Sequence, residues 1–383
     1  MHMTRSHRLI LLLCLCAAIA PFLYSEGRLF LLHPFWDARV YGDAVANFNQ
    51  GKSPYDLPND LPFIYPPIFV MTASWLGRVL TPGLGWKLYL AAHIASVLGL
   101  PFVLARFYLR GLGKIEAFAL FLLAPALLTE AVFFAGNISS LWYCAALLAA
   151  APGLSGNRWR WFYLVTVLAA ATKITFLLLL LLPLLAAVGQ MLPSAVATLV
   201  TFGIYLSQRI WVPGLYRQFH EALSRTTFTA RNYGIAPYGV MANLLQRFHI
   251  MGFVIPGAVQ VVFAGVILFT LLRLRSHVDP RDERWLAVIL IAILLINPRL
   301  FVYDVSTGVL PAYMLLIAGM RRPATWLLIA ISISGYFIGH GAIGSLFLLV
   351  SAFVVGVVSL RGAGGEVLPN LREYVHAGSP LPS

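Results

Sequence analysis

The run WRWFYLVTVLAAATKITFLLLLLLPLLAAVG, residues 159–189, decides the fold class. Its only charges are Arg160 and Lys173. A membrane span takes about 20 apolar residues, so the run is too long for one span, and Lys173 interrupts it. It reads as two short helices, 159–172 and 174–189. Comparable apolar stretches lie on both sides, at 9–25, 86–108, 116–134, 138–152, 193–211, 253–273, 285–298, 305–320, 323–339 and 342–360. The expectation is an all-α, polytopic membrane protein with about twelve transmembrane helices.

Composition agrees. Of 383 residues, 60% are hydrophobic and 11% charged, and the mean hydropathy is +0.83. A soluble chain carries about a quarter charged residues. This excludes a soluble enzyme, a nucleic-acid binder with exposed basic faces and a disordered chain. The net charge of +13 is first explained by retention of Lys and Arg on the cytoplasmic side. Cys14, Cys16 and Cys144 all sit inside apolar runs, so neither a disulfide framework nor a CxxC metal site is indicated.

Charge also orders the topology. Residues 66–80 open on Pro66–Pro67, a helix-start signal, and contain Trp75 and Arg78. If they lie at the membrane surface without crossing, the basic flanks at Arg5/Arg8, Arg106–Lys114, Arg158/Arg160, Arg273–Arg284, Arg321/Arg322 and Arg361 all fall inside. The stretch 66–80 is therefore read as an interfacial helix, with both termini cytoplasmic. Arg5 and Arg8, the apolar run and Ala18-Ile19-Ala20 resemble a signal peptide. An uncleaved anchor is expected, because Leu29–Phe35 continues apolar without a polar spacer. The organisation is one multi-span domain over 1–361, with outer loops at 26–85 and 212–252, and a Gly- and Pro-rich cytoplasmic tail at 362–383.

The outward segments hold the chemistry. Segment 26–65 has Glu26, Asp37, Asp43, Asp56 and Asp60 against three bases. Segment 212–252 has Arg217, Arg225, Arg231 and Arg247 against Glu221, opposing the charge rule that the other flanks obey. Asp37 sits just past the first span. A carboxylate there can act as a general base on a hydroxyl; on composition alone the favoured reading is a cap on a short helix, where Asp is common. Lys173 and Arg299 lie at span ends on the same outer side. Lys173 either snorkels or binds phosphate, and Arg299 either binds phosphate or complements a helix dipole.

The pattern Asp37-x-x-Val40-Tyr41, then Gly51-x-x-Pro54-Tyr55-Asp56, then Tyr65-Pro66-Pro67 resembles the first outer loop of glycosyltransferase family 87. That family belongs to the GT-C fold and includes mannosyltransferases that use polyprenyl-phosphate-mannose. Ala135-Gly136-Asn137 is similar to a Gly-Gln-Asn-type turn of the family. Ala171-Thr172-Lys173-Ile174 resembles its Ala-x-Lys-x-x-Pro turn, with Phe176 in place of Pro. Asn297-Pro298-Arg299 and Tyr303-Asp304 resemble its Ser-Pro motif before a late span, where family members often carry His.

The resemblance implies a GT-C-like fold with interfacial helices in the first outer loop. Asp37 would be the catalytic base, with Asp43 as the alternative in a shifted register. Independently of the resemblance, the outer cations Lys173, Arg231 and Arg299, placed against the charge rule, would hold the donor phosphate. Tyr41, Tyr55, Tyr65, Asn137, Asn232, Tyr303 and Asp304 would line the substrate site.

Other motifs are absent. There is no HExxH, no Walker lysine motif and no GxGxxG opening a helix after a strand. The Asn137-Ile138-Ser139 sequon abuts a span, which disfavours glycosylation. The expected function is transfer of mannose or another hexose or pentose from a polyprenyl-phosphate-linked donor to a hydroxyl of a glycolipid or glycan acceptor. The site would lie on the outer, periplasmic face of the plasma (inner) membrane, among membrane lipids. The donor is already activated, so no metal or other cofactor is expected, and no nucleic acid is a partner. The alternative is a transporter or flippase for a lipid-linked or anionic substrate, which the interruption at Lys173 also suits.

Overall fold

A computed structural model describes residues 35–57, 62–110, 135–227, 234–250, 252–319 and 342–376, with isolated positions between these segments. The expected span 9–25, most of 116–134 and 323–339, and the candidate residues Arg231 and Asn232 lie outside the described residues.

In chain order the helices are α1 (Trp36–Asn49), α2 (Pro67–Val79), α3 (Pro82–Phe107), α4 (Ile138–Gly156), α5 (Arg160–Thr172), α6 (Leu181–Ala186), α7 (Met191–Trp211), α8 (Pro213–Thr227), α9 (Pro237–Arg247), α10 (Val254–Arg275), α11 (Glu283–Ile296), α12 (Ser306–Gly319) and α13 (Ala342–His376). Two 3₁₀ turns, Ile174–Leu180 and Val302–Val305, complete the set. The described residues contain no strand.

Five helices among the described residues are long and apolar enough to cross a membrane: Gly83–Phe107, Ile138–Gly156, Met191–Trp211, Val254–Arg275 and Gly344–Gly362. Their exposed faces are greasy. On α7, Leu192, Leu199, Leu206 and Ile210 are exposed, and on α10, Val254, Val261, Val262, Val266, Phe269 and Leu272. Water would not tolerate apolar area of that extent, whereas lipid is its ordinary solvent.

Helix α11 is the opposite case. Every residue from Trp285 to Ile296 is buried, as expected of a helix that is apolar all round. It packs between α12 and α13, where small residues allow close approach: Gly308 faces Leu294 and Leu349, and Gly356 faces Val288 and Leu315. Buried Gln260 of α10 ties this core to its surroundings. Its Nε2 donates to the Leu295 and Ile296 carbonyls at the end of α11, while its Oε1 accepts the Tyr238 N–H at the start of α9.

The run 159–189 does break at Lys173. Helix α5 ends at Thr172, Lys173 is extended (φ −149°, ψ 104°), and the chain resumes as a 3₁₀ turn before α6. Neither piece reaches the length of a span, so the second is not the single helix 174–189 expected from its composition. Helix α2 begins at Pro67 in the favoured first position. At 1.5 Å per residue its 13 residues cover about 20 Å, short of the roughly 30 Å hydrocarbon core.

Two other segments differ from expectation. Segment 212–252 is not an open loop but chiefly two helices, α8 and α9. Phe219 and Ala222 of α8 are buried in a small aromatic core with Tyr41, Tyr55, Phe63, Tyr65 and Phe69, and this amphipathic patterning makes the segment helical. At the other end, α13 runs on to His376, through the stretch read as a loose tail.

Candidate functional site

The site forms where α1 meets the turn before α4. Gly136 has φ +63°, a left-handed value that suits glycine. A Cβ on it would meet the Ala38 Cβ at 2.8 Å. Gly136 thus lets the turn lie against the first turn of α1. The Ala135 carbonyl accepts the Asp37 N–H at 2.9 Å, satisfying a donor that the helix N-terminus leaves over. The Gly136 carbonyl accepts the Tyr89 hydroxyl at 2.7 Å. Asn137 caps α4, its Oδ1 accepting the Ser139 N–H at 2.9 Å.

This docking delivers Asn137 to Asp37. Its Nδ2 donates to Asp37 Oδ2 at 2.7 Å and lies 3.4 Å from the Tyr65 hydroxyl. Asp37 is in the first turn of α1 but makes no cap, because the N-cap position is Phe35 and has no side-chain cap bond. The capping reading of Asp37 is therefore corrected: its carboxylate faces Asn137, not its own helix. Burial, the largest influence, pushes the Asp37 carboxyl up to about 6. The Asn137 hydrogen bond and the Lys173 charge pull it down, and the Asp304 charge pushes it up. Asp37 as a whole residue is half-buried. Asp43, a turn and a half further along, is exposed.

Lys173 is neither snorkelling nor waiting for an anion. Its Nζ donates to Asp304 Oδ1 at 3.1 Å, Asp304 Oδ2 at 3.2 Å and Ser139 Oγ at 3.1 Å. It also lies 5.3 Å from the centre of the Tyr303 ring. The Asp304 side chain is fully buried, and its Oδ2 also accepts the Phe301 N–H at 3.1 Å. Such a pair is stable only because both charges are matched and hydrogen-bonded.

Arg299 is different. It is half-buried, its guanidinium lies 5.4 Å from the centre of the Phe301 ring, and Phe301 stacks on Tyr303. Burial lowers its pKa, while Tyr303, Tyr65 and Asp304 raise it; an arginine remains a cation at neutral pH regardless. Among the described residues no carboxylate lies within ion-pair distance of it.

Of the residues expected at the site, the structure brings together Asp37, Tyr65, Asn137, Lys173, Arg299, Tyr303 and Asp304. Tyr41 and Tyr55 are buried beside them with their hydroxyls engaged, on the Tyr65 hydroxyl at 2.7 Å and the Tyr65 carbonyl at 3.1 Å. Arg217 and Arg247 are exposed on α8 and α9. Arg225 makes a 3.7 Å surface pair with Asp56, a contact of little energetic weight.

Sequence reasoning missed Ser139 and the pairing of Lys173 with Asp304. The signal for Ser139 was present. Asn137 just ahead of an apolar helix is an N-cap signature, and it places Ser139 in the first turn, facing the same cluster. The ion pair joins residues 131 positions apart, a separation that no local pattern reports. Among the described residues, no group of three or more His, Cys, Asp or Glu side chains could hold a metal ion. The chain matches no family model and no curated protein.

Proposed function

We propose that the chain is a membrane glycosyltransferase that moves a sugar from a polyprenyl-phosphate donor to an acceptor hydroxyl, with inversion and with Asp37 as the general base. The observation that carries this reading is the Asp37 carboxylate. It is held by Asn137 at 2.7 Å, and burial pushes its pKa up to about 6. It is therefore mostly ionised at neutral pH yet basic enough to take a proton in the transition state.

In the proposed step, Asp37 takes the proton of the acceptor hydroxyl as its oxygen bonds to the anomeric carbon. The bond from that carbon to the phosphate oxygen breaks on the opposite face, and its electron pair leaves with the polyprenyl phosphate. Arg299 is the cation offered to the departing phosphate. Its planar fork suits an anion of that shape, and no described carboxylate competes for it. Lys173 contributes less to that phosphate than its charge suggests, since Asp304 and Ser139 already occupy its donors. The resemblance of the first outer loop to glycosyltransferase family 87 supplies the donor class and the outer-face location. Glycolipids and glycans are the acceptor class.

The test is transfer from a synthetic polyprenyl-phosphate mannose by the purified protein in nanodiscs. Asp37→Asn is expected to lower kcat by about 10²–10⁴, with donor affinity largely kept. Full activity in Asp37→Asn, with loss in Asp43→Asn, would move the base to Asp43. Arg299→Ala is expected to raise the donor KM, or to lower kcat if the contact forms only as the phosphate leaves.

One observation favours a second reading, a transporter or flippase. An apolar run broken at an extended residue beside a buried Lys–Asp pair also occurs at transport sites. Reconstitution in vesicles separates the two: movement of a labelled lipid-linked sugar across the bilayer without new glycosidic product would favour transport.

A further inference from the structure

Asn137 makes two bonds whose geometry depends on each other. Its carbonyl oxygen accepts the Ser139 N–H at 2.9 Å, and its Nδ2 donates to Asp37 Oδ2 at 2.7 Å. A backbone N–H can only donate, so the cap bond requires the amide oxygen on the helix side. The N–H group then has to point at Asp37. The cap of α4 thus fixes the polarity of the amide at the carboxylate. The turn itself is held from two more directions, by the Ala135 carbonyl on the α1 N-terminus and by Tyr89 on the Gly136 carbonyl. Neither bond is a substrate contact.

We propose that Asn137 is a positioning residue of the Asp37 site, its N–H orienting the carboxylate and favouring its ionised form through the cap of α4. This replaces the substrate-binding role expected for Asn137 from sequence. The inference rests on Asp37 acting as the base in the proposed reaction, but the contact itself can be tested apart from that reaction.

Other groups bear on the same carboxyl. Lys173 at the end of α5 and Asp304 in the second 3₁₀ turn act on it with opposite signs. Tyr41 on α1, Tyr65 in the loop before α2, Tyr89 on α3 and Tyr303 beside Asp304 also lie within electrostatic reach. The tyrosines are neutral near pH 6. Lys173 and Asp304 are locked together. Asn137 is thus the neighbour whose hydrogen bond can be removed without unpairing a buried charge.

Asn137→Ser separates the two bonds. Serine is also a good N-cap, so the α4 cap is kept, but its side chain is too short to reach Asp37. Losing a hydrogen bond to the ionised carboxylate raises its pKa, here by about one unit, the scale of a charge-assisted bond. If the wild type is half ionised at pH 6, the variant is about one-tenth ionised there. The acid limb of kcat/KM should therefore move up by about one unit. Activity should fall about fivefold at pH 6 and recover by pH 8.5. Asn137→Asp, which also caps, puts a second carboxylate beside Asp37 and should move the limb at least as far. If Asn137 only capped α4, Asn137→Ser would keep that cap and leave the acid limb in place, so an acid limb unmoved in Asn137→Ser overturns the proposal.

Infrared difference titration of the protonated-carboxyl band, each protein compared with its Asp37→Asn counterpart, reads the same shift without substrate. A shifted band midpoint in Asn137→Ser with no sugar transfer by any variant would keep the Asn137 inference and remove the transferase reading. An unshifted midpoint removes the Asn137 inference whatever the activity.

Discussion

Asp37 ties its protonation to stability as well as to chemistry. Its ordinary pKa of 3.8 becomes about 6 in the folded protein, so the folded state holds the proton more tightly than the unfolded chain. The ionised carboxylate costs stability. That cost is fully present above about pH 6, fades as pH falls toward 3.8 and is absent below it. Asp37→Asn removes the charge and therefore the cost. Its melting temperature is expected to exceed that of the wild type most at pH 7–8 and to converge on it near pH 4. A deficit that is constant with pH would contradict this. The Lys173–Asp304 pair behaves oppositely. Both side chains are withdrawn from solvent, at 15% and 0% exposure, so removing one partner strands a charge. Lys173→Met or Asp304→Ala alone is expected to cost about 3–5 kcal/mol. The double variant should lose less than the sum, and additive losses in a double-mutant cycle would deny the coupling.

At the scale of elements, the turn before α4 positions the site. Gly136→Ala forces a left-handed backbone on a residue with a Cβ and drives that Cβ to 2.8 Å from Ala38. A cost of about 1–3 kcal/mol is expected, with lost transfer activity because α1 and Asn137 are pushed apart. Normal thermal stability and activity in Gly136→Ala would mean the turn relaxes freely. A second left-handed glycine, Gly234 (φ +71°), does the same work elsewhere. A Cβ there would collide with the Leu300 carbonyl, the group that accepts the Ile235 N–H at 2.7 Å. That contact brings the chain leading into α9 beside Arg299 and Phe301.

Across the whole molecule, helix length sets a topology that can be measured. Helix α10 has 22 residues and spans about 33 Å, enough to cross the hydrocarbon core. Its ends should therefore lie on opposite sides, with α9 outside and Ser276 inside by the charge asymmetry. In a chain whose Cys14, Cys16 and Cys144 are replaced by serine, Gln246→Cys is expected to react with an impermeant maleimide on intact cells, and Ser276→Cys only after permeabilisation. Labelling of both positions from outside would overturn the assignment.

The apolar runs at 86–108, 138–152, 193–211 and 253–273 fall on helices α3, α4, α7 and α10. Helix is the only way a single apolar segment satisfies its own backbone in lipid, so composition alone determined those elements. The break at Lys173 was legible for the same reason, since a cation interrupts such a run at a cost. The turn Ala135–Asn137 and the acid Asp37 were both visible as motifs, but their partnership was not. Asn137 and Asp37 are 100 positions apart, and Lys173 and Asp304 are 131 apart. Local patterns report which face a residue takes and where a helix starts. Which donor meets which carboxylate depends on how the helices pack, and only tertiary contact decided that Asn137 serves Asp37, that Asp304 neutralises Lys173, and that Arg299 keeps its charge unpaired among the described residues.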